Sequence, residues 1–403
     1  MKKYVILCKG IEDLSGAPRY VNNKCSYLKE QGWEVFVFWS YDVSRAQLEH
    51  LIPFDKKEFI YHELHFFPCW FTKRRQNGVI DRIAKRIGPA DQIVIESNKL
   101  QLGAWGEMLA RKLNAKHINF VTTEKIKIHY KETFEFCYTK LRRNEFFCIN
   151  AAMVKQMFSN FVELERPEDY YWSASPGVEI EDYSFPDFDN LPEADYTITS
   201  FGRTKGYFPN MLDELNDFIS SHPDKSFNVF FLGDLNNAEM IRIKLDLRNV
   251  HLSIHPEAVK VIPLQMITKS DVIIATAGCA NIAARSGGKV LSMDVNLKKP
   301  LGLLRYTTLD SNTYSGKYEN NRSLSEWLQA LLIDKTIFQL MPETRERRSF
   351  DYQMQYVTPP DGVYLDSSKV RENITKNDGF WMFLSKIGMF RLVDYLYFTK
   401  RKK

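Results

Sequence analysis

Arg203 and Lys205 stand just past the apolar run YTITSFG, and further along SDVIIATAGCANIAARSGG (270–288) passes from an apolar strand into small residues and then a short helix. Gly278, Cys279, Ala280 and Asn281 read as the turn ahead of that helix. Small residues let a backbone approach a ligand closely, and a helix N-terminus offers N–H groups and a favourable dipole to an anion. The combination is that of a phosphate site. Between Ala275 and Gly288 there is no Asp or Glu, so acid–base chemistry would have to come from elsewhere. Each residue also has a plainer reading: Asn281 as a helix N-cap, Lys205 as a solvated turn residue, Arg203 as the partner of an acid.

The elements that must position these residues follow from the hydrophobic pattern. YVILCKG, EVFVFWS, EFIYHEL, QIVIES and KHINFVT read as strands, with PRYVNNKCSYLKEQG, GVIDRIAKRIG and LGAWGEMLARKLN as helices between them. Pro18 suits a first helical turn and Gly32 a helix stop. The pattern loosens into SPGVEIEDYSFPDFDNLPEADY and then restarts: YTITSFG, FNVFFLG, VHLSIH, DVIIATA and KVLSMDV as strands, NMLDELNDFISSH, AEMIRIKLDL, VIPLQMITKS and NIAARSG as helices. The expectation is an α/β protein of two Rossmann-like domains with parallel sheets facing a central cleft, ligands lying at the carboxyl ends of the strands. Its divisions are an N-terminal domain at 1–180, a linker at 181–195, a nucleotide-binding domain at 196–375 and a basic amphipathic helix at 376–403 that packs back on the first domain.

Composition agrees with a folded chain of this size: 403 residues, 44% hydrophobic and 14% aromatic. The six cysteines form no CxxC pair and no Cys/His cluster, so neither a zinc site nor a disulfide framework is indicated and a reducing cytosol is expected. DFD at 187–189 has the D-x-D pattern of some metal sites but falls in the linker, so no metal is expected. The apolar run of MKKYVILCKG is shorter than a signal-peptide core, and no window suits a spanning helix. A cytoplasmic protein is expected, or one peripheral on the inner face of the membrane.

Net charge is +5, unevenly placed. Residues 380–403 hold six basic residues and one acid, and 72–86 have the same balance directly after FFPCWF. Aromatics beside cations over 66–86 and 380–403 suit an anionic membrane surface, the other reading being a solvated helix face or frayed tail. No nucleic-acid motif accompanies the charge.

The order of motifs resembles the family 4 type of glycosyltransferase. LCKGIEDLSGAPRYVNNKCSYLKEQGWEV is similar to that family's opening strand, loop and long helix; SPGVEIEDYSFP to its crossover; SFGRTKGYFPNMLDEL to its GR…KG entry; and SDVII…AGCANIAARSGGKVLSMD to its donor-binding strand, turn and helix. The last segment also resembles the lipid-linked N-acetylglucosaminyltransferase of peptidoglycan synthesis. The resemblance runs over about residues 4–300 and implies a GT-B fold. It implies a hexosyl-type transfer from a nucleotide-diphosphate sugar to a glycan or lipid-linked glycan acceptor, in surface or capsular polysaccharide assembly, with no separate cofactor.

By the same resemblance Arg203 and Lys205 would hold the donor phosphates, with Gly16 in DLSGAP facing them from the first domain. Here the family's paired glycines are reduced to one, and "RTK" between Gly202 and Gly206 is shorter than its usual insert. Where retaining members carry two glutamates, this chain has small residues, Asn281 and Arg285. Three readings stay open: an inverting enzyme with its base in the first domain, a retaining enzyme acting through Asn281 and backbone groups, or a fold without activity. An inverting reaction needs a base on the acceptor hydroxyl. Asp13 is the first candidate, ahead of Glu12, Glu124 and His129. Rival functions are a non-catalytic partner subunit and a nucleotide-sugar 2-epimerase, which would need cleft acids that 276–288 do not supply.

Overall fold

The computed structural model describes residues 1–9, 16–40, 60–123, 126–172, 180–202, 206–233, 238–245, 248–255, 261–295, 297–309, 311, 322–341, 349–372 and 376–396. The chain forms two compact units, Met1–Pro176 with Arg347–Lys403, and Gly177–Glu346.

In the first unit β1 (Lys2–Cys8), β2 (Glu34–Trp39), β3 (Gln92–Ser97), β4 (Lys116–Val121) and β5 (Phe146–Cys148) form a wholly parallel sheet in the order β2-β1-β3-β4-β5. Single parallel bridges extend it, from Ile60 to Trp39 and from Tyr171 to Cys148. Parallel strands covered on both faces read as continuous apolar runs, which is why six of the seven residues of β1 are buried. Tyr4 and Ile6 pack with Tyr20, Val21 and Leu28 of α1 (Gly16–Glu30). Val5 and Leu7 share the other core with α2 (Lys73–Ile87) and α3 (Leu100–Leu113). The alternation is the two-residue period of a strand.

α4 (Lys131–Arg142) and α5 (Ala151–Phe158) follow in this half. Between α3, β4 and α4 lies a buried ionic cluster. Lys140 Nζ is 2.8 Å from Glu107 Oε2 and 3.0 Å from Glu145 Oε2, and His117 Nδ1 is 2.8 Å from Glu107 Oε2. Buried charges of this kind persist only when paired and hydrogen-bonded.

In the second unit β6 (Ile180–Glu181) precedes β7 (Tyr196–Phe201), α6 (Phe208–Ser220), β8 (Phe227–Leu232), α7 (Ala238–Lys244), β9 (Val250–His255), β10 (Ile262–Pro263) and α8 (Leu264–Thr268). β11 (Val272–Ala275), α9 (Ala277–Arg285), β12 (Val290–Met293), β13 (Pro300–Leu303) and α10 (Leu324–Leu328) follow. The main sheet runs β13-β12-β11-β7-β8-β9, parallel except for β13 at its edge.

The chain then returns to the first unit through α11 (Phe350–Met354), α12 (Lys376–Lys386) and α13 (Phe390–Asp394). Gln353 Oε1 accepts from Tyr20 OH at 3.0 Å and from Lys24 Nζ at 2.8 Å. Phe390 and Val393 are buried in the first unit's core.

Several expectations are corrected. Residues 347–375 belong to the first unit, because Phe350, Gln353 and Val370 find their burial there. Much of the expected linker 181–195 is built into the second unit: β6 pairs with β10, and the Phe188 ring stacks on Phe230 with centroids 4.3 Å apart. The terminal helix is two helices, broken where Gly388 takes a φ of 90°. EFIYHEL gives only the Ile60 bridge and a 3-10 turn, His62–His65, among its described residues. VIPLQMITKS opens as β10, not as helix, because Pro263 holds an extended conformation. Among the described residues no helix is long and apolar enough to cross a membrane.

Candidate functional site

The second unit's strand order reverses between β7 and β11, the place in such sheets where ligands lie beyond the strand ends. The register pairs Phe201 with Ala275, so the chain leaves both strands at the same level. It leaves β7 at Gly202, with a φ of 120°, and β8 at Gly233, with a φ of 136°. A Cβ at Gly233 would lie 2.4 Å from the Gly202 carbonyl oxygen, and one at Gly202 would lie 3.5 Å from Cys279 Sγ. Close approach demands a glycine at 233, and the positive φ favours one at both turns. The end of β7 thus sits beside the first turn of α9. Arg203 and Lys205, immediately beyond, lie outside the described residues.

α9 begins earlier than its sequence suggests. Gly278, Cys279 and Ala280 are in its first turn, and Asn281 is its fifth residue. Thr276, extended at a φ of −139°, is the N-cap position, which corrects the N-cap reading of Asn281. Asn281 instead ties the helix to residue 311, because its Nδ2 donates to Ser311 Oγ at 2.7 Å and to the Ala277 carbonyl at 3.3 Å. The Ala277 N–H donates to the Ser311 carbonyl at 2.6 Å, and Ala277 holds a φ of 52°, a conformation that L residues adopt at a cost. Residue 311 and the helix start therefore fix each other. No side-chain hydrogen bond caps the helix among the described residues, and its first turn carries no acid. In this turn Gly278 is exposed and Cys279 half-buried, while Ala280 is buried and its N–H donates to the Thr276 carbonyl. First-turn N–H groups at such an edge suit a phosphate oxygen.

In the first unit the strand order reverses between β1 and β3. Glu12 and Asp13, in the loop after β1, lie outside the described residues, as does Glu124; Gly16 is the first residue of α1. His129 is exposed, its Nδ1 3.2 Å from Asn160 Nδ2. Beyond β3 stands Asn98, 3% exposed. Its Nδ2 donates to Glu96 Oε1 at 2.8 Å, whereas Oδ1 has no hydrogen-bond partner among the described residues. Thr123 Oγ1, past β4, is likewise buried and unpartnered among them. Glu96 also accepts from Tyr4 OH at 2.8 Å. The sequence signal for this polar edge was the Glu-Ser-Asn ending of an otherwise apolar strand, QIVIESN. Among the described residues no group of three or more His, Cys, Asp or Glu could hold a metal.

No protein-family model matches the chain, and no curated protein matches it in sequence. Solved structures do. The chain is similar to the lipopolysaccharide outer core galactosyltransferase WaaB in its apo form, at 11% identity over 92% of this chain and 98% of that one, with a TM-score of 0.51. It is also similar to a glycosyltransferase from Rickettsia africae ESF-5, at 14% identity over 72% and 78% of the two chains, TM-score 0.49. A UDP-GlcNAc 2-epimerase from Neisseria meningitidis bound to UDP-GlcNAc is 14% identical over 72% and 82%, TM-score 0.38. Identities this low speak to fold alone, and the fold, α/β with parallel sheets, is that of the GT-B glycosyltransferases.

Proposed function

We propose that the protein is a glycosyltransferase of the family 4 type. It moves a sugar from a nucleotide-diphosphate donor to a glycan or lipid-linked glycan acceptor in surface polysaccharide biosynthesis. The observation that carries this reading is the carboxyl edge of the second unit's sheet, where Gly202, Gly233 and the acid-free first turn of α9 meet at the strand-order reversal. As the sugar–oxygen bond breaks, the diphosphate gains negative charge, and N–H groups aligned beforehand stabilise it with little reorganisation. Arg203 and Lys205, next in sequence after Gly202, add the fixed cations. Residues 276–288 hold no carboxylate, and an inverting reaction would need a base on the acceptor hydroxyl, for which Asp13 is the sequence candidate.

The test is a thermal-shift and product screen of the full chain against UDP-, GDP-, dTDP- and CMP-sugars, with and without a detergent-solubilised lipid-linked acceptor. Stabilisation by one nucleotide class, with nucleotide released only when acceptor is present, is the expected result. Arg203→Ala abolishes the stabilisation. The missing carboxylates favour a second reading, a non-catalytic partner subunit, and a wild-type chain that binds no member of the panel would replace the transferase reading with it.

A further inference from the structure

The two blocks of mixed aromatic and basic residues are about three hundred positions apart in sequence, yet their described parts, 66–86 and 380–396, pack against each other in the first unit. α12 and α13 are anchored by Leu384, Phe390 and Val393 in the core. The Phe390 ring lies 5.1 Å from Phe71 and 6.0 Å from Phe66, and the Arg75 guanidinium sits 4.3 Å from its centroid. His62 Nδ1 is 2.5 Å from Asp394 Oδ1. The C-terminal helices therefore rest against the entrance of α2.

What they leave outward is apolar. Phe380, Phe383, Ile387 and Tyr395 are 57%, 58%, 54% and 60% exposed, with Met389 and Leu392 beside them. Six of the fifteen large apolar side chains exposed among the described residues fall within 380–395, a concentration that scatter over the surface does not produce. On α12, Trp381, Leu384 and Ser385 lie on the covered side, while Phe380 and Phe383, with Ile387 just past the helix end, lie on the exposed side. A helix that needed only to cover the core would be polar there.

Cations accompany this surface. Lys386 and Arg391 are exposed between the apolar residues, and Lys73 and Arg74 are exposed in the first turn of α2. That first turn is Lys-Arg-Arg with no acid, although the helix dipole disfavours positive charge at an N-terminus. Glu63 pairs with Arg75 at 3.1 Å, whereas Lys73 and Arg74 point to solvent, where an anion would meet both them and the helix dipole.

We propose that this face docks the protein on an anionic lipid bilayer. The outward rings enter the headgroup boundary while Lys73, Arg74, Lys386 and Arg391 meet lipid phosphates. A second copy of the chain would bring like charges together, so charge complementarity favours lipid. Vesicle binding and nucleotide binding are measured separately, so this docking face stands or falls independently of the transferase reading.

The experiment is flotation of the full chain with phosphatidylglycerol-containing vesicles and with phosphatidylcholine alone. Binding to the first, weakened by salt and absent from the second, is expected. Phe383→Ser with Ile387→Ser, and separately Lys73→Glu with Arg74→Glu, each lower the affinity by about tenfold or more. All four side chains are exposed, and an unchanged thermal midpoint separates lost docking from unfolding. No flotation of the wild type, flotation indifferent to both double variants, or sedimentation showing that the same face pairs two copies, would each overturn the proposal.

Discussion

A methyl group at Gly233 would stand 2.4 Å from the Gly202 carbonyl oxygen, on a backbone whose φ of 136° L residues avoid. Gly287 has a φ of 92° but nothing within 4 Å of the same added atom. Both substitutions strain a positive φ, but Gly233→Ala must also displace the Gly202 backbone, whereas Gly287→Ala meets nothing. The first is expected to lower stability by about 1–3 kcal/mol more than the second and to abolish stabilisation by the nucleotide sugar. Thermal melts of the two variants with and without ligand decide it. His117 sets a second expectation. Burial, helped by Lys140 and opposed by Glu107, pushes its pKa down to about 4 from 6.5. The folded chain then keeps it neutral at acidities where the unfolded chain takes up a proton. Its contribution is complete above pH 6.5 and is lost as pH falls toward 4, on the order of 3 kcal/mol. Burial would raise the pKa of Glu107, but Lys140 and His117 outweigh it and hold that carboxyl well below its usual range, extending the loss to lower pH. Urea midpoints across this range should fall with acid in the wild type and more shallowly in His117→Asn.

Helix α3 shows what sets the distance between elements. Cβ atoms added at Gly103 and Gly106 would lie 2.2 Å from the Asn119 side-chain amide and 2.3 Å from Ser97 Oγ, and the second also 2.4 Å from His117 Nε2. These two glycines let the helix approach β3 and β4 closely enough for Glu107 to reach His117 and Lys140. Gly106→Ala lifts the helix or displaces His117, and is expected to cost about 1–3 kcal/mol and to flatten the acid dependence argued for His117. Much at this scale was legible in the sequence: continuous apolar runs announced parallel strands, and the segment after DVIIATA announced a helix beside the end of YTITSFG. The first residue of that helix was not. Its onset is held by hydrogen bonds to residue 311, a contact that no local pattern encodes. Nor could α3's glycines be read, since a glycine in a helical pattern looks alike whether it meets solvent or a buried histidine. Residues 181–195 looked like a linker for a related reason: their Pro and Asp content conceals Phe185 and Phe188, which are buried in the second unit's core with Tyr183 and Leu191 packed against it.

At the scale of the molecule the two units differ in how the chain closes them. The second is one continuous segment, Gly177–Glu346, with apolar clusters of its own on both faces of its sheet. The first is completed only when the chain returns. Lys24, fully buried, has its ammonium 4.9 Å from the Phe350 ring and donates to Gln353, both on the returning segment. Burial, opposed by Glu96, lowers the pKa of Lys24 to about 8, so near neutral pH it is a cation whose hydrogen-bond acceptor arrives from over three hundred residues away. Without that segment the cation, Tyr20 and the aromatic surface around Phe66 and Phe71 lose their cover. Removing one partner of a buried charge is strongly destabilising, whereas separate cores fold separately. A fragment spanning 177–346 is therefore expected to unfold cooperatively in urea, near the midpoint of one transition of the full chain. A chain ending at 346 should keep that transition and lose the other. Circular dichroism through the titration reads both. If the truncated chain retained both transitions unshifted, the returning segment would contribute nothing to the first unit. Gln353→Ala is the milder version: it leaves Lys24 buried without this acceptor and should lower the first unit's midpoint alone, by about 1.5–3 kcal/mol.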